Sequence, residues 1–125
     1  MQMSAFSQDW IESFKDESVS IEISKITHES PSDGISHERL IFKYVNLTEN
    51  NLEINYSRKV AYDGQDLPNS QEREFQITVP SHGFIEYDDS KNHNKLFYQF
   101  ISDNKGTISK KLTGFEITNI EYEVK

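Results

Sequence analysis

The sequence predicts an all-β fold, a sandwich of seven antiparallel strands in one domain, and three observations predict it. Apolar and polar residues alternate along much of the chain, as they do in strands with one buried face. Turn-forming residues separate these segments at the short spacings typical of sandwiches. The 125 residues suit a single domain, and Leu, Ile, Val and Phe make up about a quarter of them, enough for a core despite a mean hydropathy of -0.73.

Residues 1–17 are predicted to form an N-terminal segment ahead of the sandwich domain, which spans 18–125. Residues 7–15 fit a short helix, because a serine that can cap a helix precedes apolar residues at helical spacing. These apolar residues are Trp10, Ile11 and Phe14. A short strand that carries Trp10 fits the same residues, so both interpretations stay open.

The first and last predicted strands of the domain each contain a slip in their alternation. In the strand at 19–26 the slip falls near Ser24 and Lys25, and it predicts a bulge or a change of pairing partner. The strand at 115–124 slips in the same way between Ile117 and Ile120. Strands of this kind are easier to place in a sandwich with bent edges than in a flat sheet.

A hairpin is predicted between the second and third strands, at 40–47 and 52–62. The second strand carries apolar residues on both faces, which favours a central position in a sheet. Residues 46–51 supply turn formers. The apolar residues of the third strand then recur at every second position and so lie on one face, with Arg58 as the exception.

Three shorter strands are predicted at 75–79, 85–87 and 96–100. A Pro-Ser-His-Gly turn separates the first two, and polar loops flank the third. We expect the buried faces of the strands to form the core. The predicted core residues are Ile21, Ile23, Leu40, Phe42, Ile54, Phe75, Ile77, Phe97 or Phe100, Phe115 and Ile117.

Charge and composition argue against several classes of function. The 13 basic and 21 acidic side chains give a net charge of -8, which repels phosphate backbones and anionic lipids, so we expect no nucleic-acid partner. No apolar run is long enough to predict a membrane span. The chain has no cysteine and no histidine spacing typical of zinc sites. We therefore predict a protein that is not an enzyme, with no catalytic residue and no cofactor.

The N-terminal residues leave the location open between the cytoplasm, which fits the chain as given, and export. Residues 1–8 have neither the basic region nor the apolar stretch of a signal peptide. The small residues Ala5 and Ser7 are of the kind left near a cleavage site, so an exported origin stays open. The absence of cysteine fits both compartments.

Aromatic residues provide a candidate binding platform. They make up 12% of the chain, a high share for so polar a protein. Four tyrosines would form a platform for a sugar or a protein if they emerged on one outer face. Burial in the core and cross-strand pairing are the alternatives. The four are Tyr56, Tyr62, Tyr87 and Tyr98.

Acidic loops provide a candidate calcium site. Carboxylate oxygens on loops at one end of a sandwich can hold calcium, although their spacing here does not match the calcium-loop pattern. Simple solvation of these loops is the alternative. The candidate ligands are Asp63, Asp66, Asp88 and Asp89.

Four segments share strand and turn patterns with a known group of proteins. They are 40–48, with a strand that ends in Tyr-x-Asn, then 52–54, then 79–83, with a Pro-x-x-Gly turn, and 112–117. In these segments the chain resembles small immunoglobulin-like β-sandwich proteins of bacteria. The resemblance covers about residues 18–125 and implies an immunoglobulin-like topology. Some exported members carry cysteines in the loop that matches 63–71, and this chain does not.

These observations predict a non-enzymatic binding or accessory module. We expect it to recognise another protein through a sheet face or an exposed edge strand, a mode of recognition that sandwiches permit. The alternative is a carbohydrate-binding module with an aromatic platform and a structural calcium.

Overall fold

A computed structural model describes residues 9–30, 35–66, 74–91, 94–103 and 111–125. Two short 3₁₀ helices, Asp89–Lys91 and Lys95–Phe97, lie among nine strands in these ranges. None of the helices described there is long and apolar enough to cross a membrane. The strands are β1 (Ile11–Lys15), β2 (Val19–Ser30), β3 (Ile35–Asn46), β4 (Leu52–Tyr62), β5 (Gln65–Asp66), β6 (Glu74–Val79), β7 (Phe84–Glu86), β8 (Tyr98–Asp103) and β9 (Leu112–Val124).

The strands form two antiparallel sheets, which confirms the predicted all-β class. In the first sheet β1 pairs with β2, β2 with β3, and successive parts of β3 pair with β8 and β7. In the second sheet β4 is central. Residues 52–57 of β4 pair with both β6 and β9, so these two strands flank it. The described strands number two more than the seven predicted, because β1 and the two-residue β5 were not counted.

The described part of the N-terminal segment forms a strand, Ile11–Lys15, not a helix, and this strand extends the first sheet. Ile11 lies opposite Ile23 in β2, and Phe14 lies opposite Ile21, with a register shift between Glu12 and Phe14. This bulge puts Ile11 and Phe14 on one face although they are three residues apart. The helix-like spacing of Ile11 and Phe14 therefore results from a bulge in a strand.

The predicted hairpin between 40–47 and 52–62 is wrong, because β3 belongs to the first sheet and β4 to the second. The chain crosses between the sheets after Asn46, whose buried amide nitrogen donates to the carbonyl oxygens of Asn50, Val79 and Pro80. Its side-chain oxygen accepts from the backbone N–H and the hydroxyl of Thr48. Turn-forming residues mark both hairpins and crossings, so their composition does not separate the two.

The actual long hairpin joins β2 to β3, and it has no register shift. It runs from Val19 opposite Asn46 to Ser30 opposite Ile35, so the irregularity predicted near Ser24 and Lys25 is wrong. Ile26 simply lies on the outer face, opposite Arg39. The slip predicted in the last strand is confirmed.

The slip in β9 is a bulge against β4. Thr118 lies opposite Ser57 and Glu121 opposite Asn55, so β9 has one more residue than β4 between these pairs. Asn119, one of the two intervening residues of β9, has a φ of 52°. Asparagine tolerates this left-handed conformation better than most residues.

The core lies between the sheets and contains most of the predicted residues. The buried residues among those predicted are Ile21, Phe42, Ile54, Ile77 and Phe97. The other predicted core residues pack against them. The side chain of Phe100 lies outside the described residues. The core also includes residues that were not predicted: Val19, Tyr44, Leu52, Tyr56 and Val79.

Candidate functional site

The four candidate tyrosines do not form one exposed platform. Tyr56 is only 2% exposed and belongs to the core. Tyr62 and Tyr98 are half-buried on different sheets, and Tyr98 lies opposite Ile41 on the outer face of the first sheet. Tyr87 packs against the core. Tyr56 and Tyr87 thus contribute to the core, and Tyr62 and Tyr98 lie on different sheets.

The described candidate calcium ligands follow strands of different sheets. Asp63, with φ 53°, and Gly64, with φ 82°, form the two-residue turn between β4 and β5, and Asp63 accepts a hydrogen bond from Lys111 N. Asp88 follows β7 and is engaged by Lys91 and Ser90, which lower its pKa to about 2. The side chains of Asp66 and Asp89 lie outside the described part of the chain. Among the side chains described, no group of three or more could hold a metal ion.

The strand register also brings together residues that are far apart in sequence. His28 lies opposite His37, and His37 lies opposite Asp103, in a row across β2, β3 and β8. The side chains of these residues lie outside the described part of the chain. Spacing along one strand does not predict neighbours of this kind, because pairing between strands sets them.

Arg58 brings a charged side chain into the core. It is 2% exposed and shares a face of β4 with Tyr56 and Val60. Its guanidinium carbon lies 4.0 Å from the ring centre of Phe42 and 3.8 Å from that of Phe75. Aromatic rings from both sheets therefore pack against the cation, an arrangement that suits arginine.

Every N–H group of the Arg58 guanidinium has an acceptor. Nη1 donates to the carbonyl oxygen of Tyr98 at 2.9 Å and to Oε1 of Gln99 at 3.3 Å. Nε and Nη2 donate to the hydroxyl of Tyr56 at 3.1 and 2.9 Å, and Nη2 also donates to the carbonyl oxygen of Leu96 at 3.0 Å. These bonds use all five donors of a guanidinium, so none is available to an outside ligand.

Two buried tyrosines extend this network to the backbone. The hydroxyl of Tyr44 donates to the carbonyl oxygen of Leu96, so the hydrogen shared by the two hydroxyls comes from Tyr56. Burial raises the pKa of both tyrosines although the charge of Arg58 opposes the shift, and both stay protonated at neutral pH. We call Arg58, Phe42, Tyr44, Tyr56, Phe75 and Gln99 the Arg58 cluster. It connects the two sheets and is structural.

The second sheet has an open edge at β9. β9 pairs with β4 on one side, and its other side is unpaired within the described chain. Directly opposite residues share a face of a sheet. Tyr122 lies opposite the buried Ile54, and Val124 lies opposite the buried Leu52. Both therefore face the core side, yet Tyr122 is 39% exposed and Val124 is 63% exposed. The first sheet does not cover this part of the inner face.

The turn after β1 borders the same opening from the first sheet. Ile11, at the other end of β1, is 65% exposed and shares a face with Ile23, which packs against the core. The hydroxyl of Tyr122 donates to Oδ2 of Asp16, in the turn after β1, at 3.1 Å. The two sheet edges are therefore neighbours. We call Asp16, Tyr122 and Val124 the β1–β9 edge.

Asp16 supplies a negative charge at this edge. Its Oδ1 accepts from the backbone N–H of Ser18 at 2.8 Å and of Val19 at 2.9 Å. Burial opposes ionisation, but these bonds and the one from Tyr122 outweigh it, so the pKa of Asp16 lies below its ordinary 3.8. The carboxylate is therefore ionised at neutral pH.

An open cleft of about 510 Å³ lies beside the bulge of β9. Three carboxylates, an amide, an isoleucine and a tyrosine line it, so it combines oxygen acceptors with apolar surface. The lining residues are Asp16, Asn55, Ile120, Glu121, Tyr122 and Glu123. We call it the edge cleft. None of these residues was a candidate in the sequence, because their proximity depends on which strand edges meet.

A second exposed patch lies on the outer face of the first sheet. Nζ of Lys43 lies 4.5 Å from the ring centre of Phe84 and 5.8 Å from that of Trp10. Phe84 is 53% exposed, whereas Trp10 is half-buried. The patch is a lysine flanked by two aromatic rings.

No protein-family model, curated protein or solved structure matches the chain. The resemblance to immunoglobulin-like proteins therefore stays a prediction, and the function has to be inferred from these sites.

Proposed function

We propose that the protein is a binding module that accepts an extended segment of a partner protein as an added strand along β9. The observation that carries this proposal is the exposure of Tyr122 and Val124 in core-facing register on an edge that is unpaired in the described structure. An edge strand offers backbone N–H and C=O groups to an incoming strand. The side chains of that strand provide the rest of the affinity.

The C-terminal section of β9 is the part best suited to docking. The bulge at Asn119 separates residues 120–124 from the start of the strand and changes the local twist. The exposed apolar residues of β9 both lie in this section. An added strand there would continue the second sheet and cover Tyr122 and Val124. Removal of apolar surface from water favours such pairing by about 25 cal/mol per Å².

A selection of displayed peptides tests this proposal with an unidentified partner. Nine-residue peptides that alternate apolar and variable positions are selected against the protein, and amide hydrogen exchange is then measured on each complex. We expect slower exchange in 120–124, because an added strand bonds to amides at the free edge. Protection of another edge only, or a selection without binders, would contradict the proposal.

Two lysine substitutions form a matched pair for the selected peptides. Val124→Lys puts a charge in core-facing register on β9, and we expect binding to weaken by at least about tenfold, since such charges block strand edges. Phe84→Lys makes a similar change on β7 of the other sheet and should leave binding unchanged. Equal effects of the two substitutions would count against docking at β9.

Carbohydrate binding is the second candidate, and the exposed ring of Phe84 beside Lys43 and Trp10 favours it. Aromatic rings supply apolar faces for sugar rings. Trp10 is the only tryptophan, so its fluorescence would report binding. Titration with soluble oligosaccharides should change the emission of the wild type but not that of Phe84→Ala. Unchanged emission with every sugar would remove this candidate.

A further inference from the structure

The charges at the β1–β9 edge are mostly negative. Asp16, Glu121 and Glu123 all line the edge cleft, on a chain with a net charge of -8. Lys125 pairs with Glu123 at 3.1 Å and with Glu53 at 3.5 Å. Asp16 and Glu121 form no ion pair with any residue that the structure describes. The edge therefore keeps carboxylates available to a cation.

We propose that the strand that docks on β9 carries lysine or arginine at alternate positions and apolar residues between them; this rests on the proposed function. Glu121 and Glu123 lie opposite Asn55 and Glu53 and so share the outer face, while Tyr122 lies on the core side. A neighbouring strand therefore meets Glu121 and Glu123 on the outer face, and the apolar Tyr122 and Val124 beside the carboxylate of Asp16 on the core side.

The distances involved suit long cationic side chains. Directly opposite residues of paired strands have Cβ atoms about 4.5–5.5 Å apart, so a cation on the added strand can reach Glu121 or Glu123. The edge cleft of about 510 Å³ has room for such a side chain.

The same carboxylates oppose pairing between two copies of the chain. Antiparallel pairing centred on Tyr122 would place Glu121 of one copy opposite Glu123 of the other. Like charges directly opposite one another destabilise a strand pair, and charged edges are a common protection against self-association. A cationic partner replaces this repulsion with attraction, which makes it a better occupant than a second copy.

Three synthetic peptides test the inference. Each has nine residues and the same valines, alternating with lysine, threonine or glutamate. We expect the lysine peptide to bind at least about tenfold more tightly than the threonine peptide in low salt, with protection of amides in 120–124. The glutamate peptide should not bind. Added salt should weaken the lysine peptide most, because the pairs are exposed.

Charge-neutral variants of the protein complete the test. The double variant Glu121→Gln and Glu123→Gln should weaken the lysine peptide by about fivefold to tenfold and leave the threonine peptide unchanged. Glu49→Gln, at an exposed glutamate between β3 and β4, is the control for a change of charge elsewhere and should have little effect.

The outcomes separate this inference from the proposed function. If the threonine peptide protects 120–124 as well as the lysine peptide does, the cationic partner is wrong but strand docking stands. If no peptide protects β9, or the lysine peptide binds without protecting it, both proposals fail. If the free protein dimerises with protection at 120–124, the occupant is a second copy and the cationic partner is again wrong.

Discussion

The Arg58 cluster and the β1–β9 edge connect the same two sheets in opposite ways. In the Arg58 cluster every guanidinium donor is used and aromatic rings exclude water. At the β1–β9 edge one side-chain hydrogen bond between described residues, from Tyr122 to Asp16, links the sheets among exposed apolar groups. Substitutions in the first region should therefore affect stability, and those in the second should affect binding.

β4 makes this difference clear, because it contributes to both regions. Arg58 and Tyr56 lie in the buried cluster, whereas Ile54 and Leu52 lie opposite the exposed Tyr122 and Val124 of β9. Satisfied buried polar networks give rigidity, and open edges give access.

Arg58→Ala should cause the largest loss of stability. It removes packing from Phe42 and Phe75 and leaves buried acceptors, such as the side-chain oxygen of Gln99, without their donor. We expect the free energy of unfolding to fall by about 3–5 kcal/mol, which approaches the whole stability of some domains. Chemical denaturation of the wild type and the variant measures it. Arg58→Lys keeps a cation and should lose less, and a loss below about 1 kcal/mol for the alanine variant would contradict the structural role.

Tyr44→Phe should cause a smaller loss in the same cluster. It removes the hydroxyl that donates to the carbonyl oxygen of Leu96, but Arg58 still donates to that oxygen at 3.0 Å. That acceptor keeps a partner, but the buried hydroxyl of Tyr56 loses the oxygen to which it donates, so we expect the free energy of unfolding to fall by about 1–3 kcal/mol. Denaturation of Tyr44→Phe in both the wild-type and the Arg58→Lys background measures the coupling. Fully additive effects would show that the two side chains act independently.

These two residues also show how much of the core could be predicted from the sequence. Alternation along β4 predicts the strand and the buried face, because one strand sets its own periodicity. Arg58 interrupts the apolar pattern, and the sequence does not show that it is buried. Three of its acceptors, on Leu96, Tyr98 and Gln99, lie about forty positions away, and only tertiary packing brings them close. Tyr44 and Tyr56 are uncharged, so these partners give no indication in the sequence that Arg58 is a buried cation.

The candidate site was harder to predict than the fold. Tyr122 and Val124 have the apolar spacing of ordinary core residues, and they are exposed only because the sheet edges leave them uncovered. Asp16 joins the site because the turn after β1 lies beside β9. Neither fact depends on local sequence, since both follow from how the sheets are paired and packed. The alternation of Glu121 and Glu123 with apolar residues was visible, but it also fits a solvated outer face.

Acid should loosen the β1–β9 edge before it affects the Arg58 cluster. The pKa of Asp16 is lowered in the folded protein, so its contribution to stability is complete above the ordinary value of 3.8 and is lost as pH falls through the lowered pKa. We expect the melting temperature to drop over this range, and amide exchange near Ser18 to rise first. The carboxyl carbon of Asp16, followed by NMR, gives its pKa directly.

Tyr122→Phe tests the cause of that shift. The variant lacks the hydroxyl that donates to Asp16 at 3.1 Å, so the pKa of Asp16 should rise towards its ordinary value. The acid-dependent loss of stability should then be smaller. A pKa that stays the same in Tyr122→Phe would show that the Ser18 and Val19 amides account for the shift alone.

Val124→Lys should have the smallest effect on stability. Val124 is 63% exposed and lies at the end of β9, so the lysine can extend into solvent. We expect the free energy of unfolding to change by less than about 0.5 kcal/mol. Leu52→Lys, at the buried position opposite, is the matched control and should cost several times more, because its charge would be buried. Denaturation curves of the two variants, measured side by side, compare the exposed and buried members of one strand pair. Similar losses would mean that Val124 is covered in solution and that the edge proposed for docking is closed.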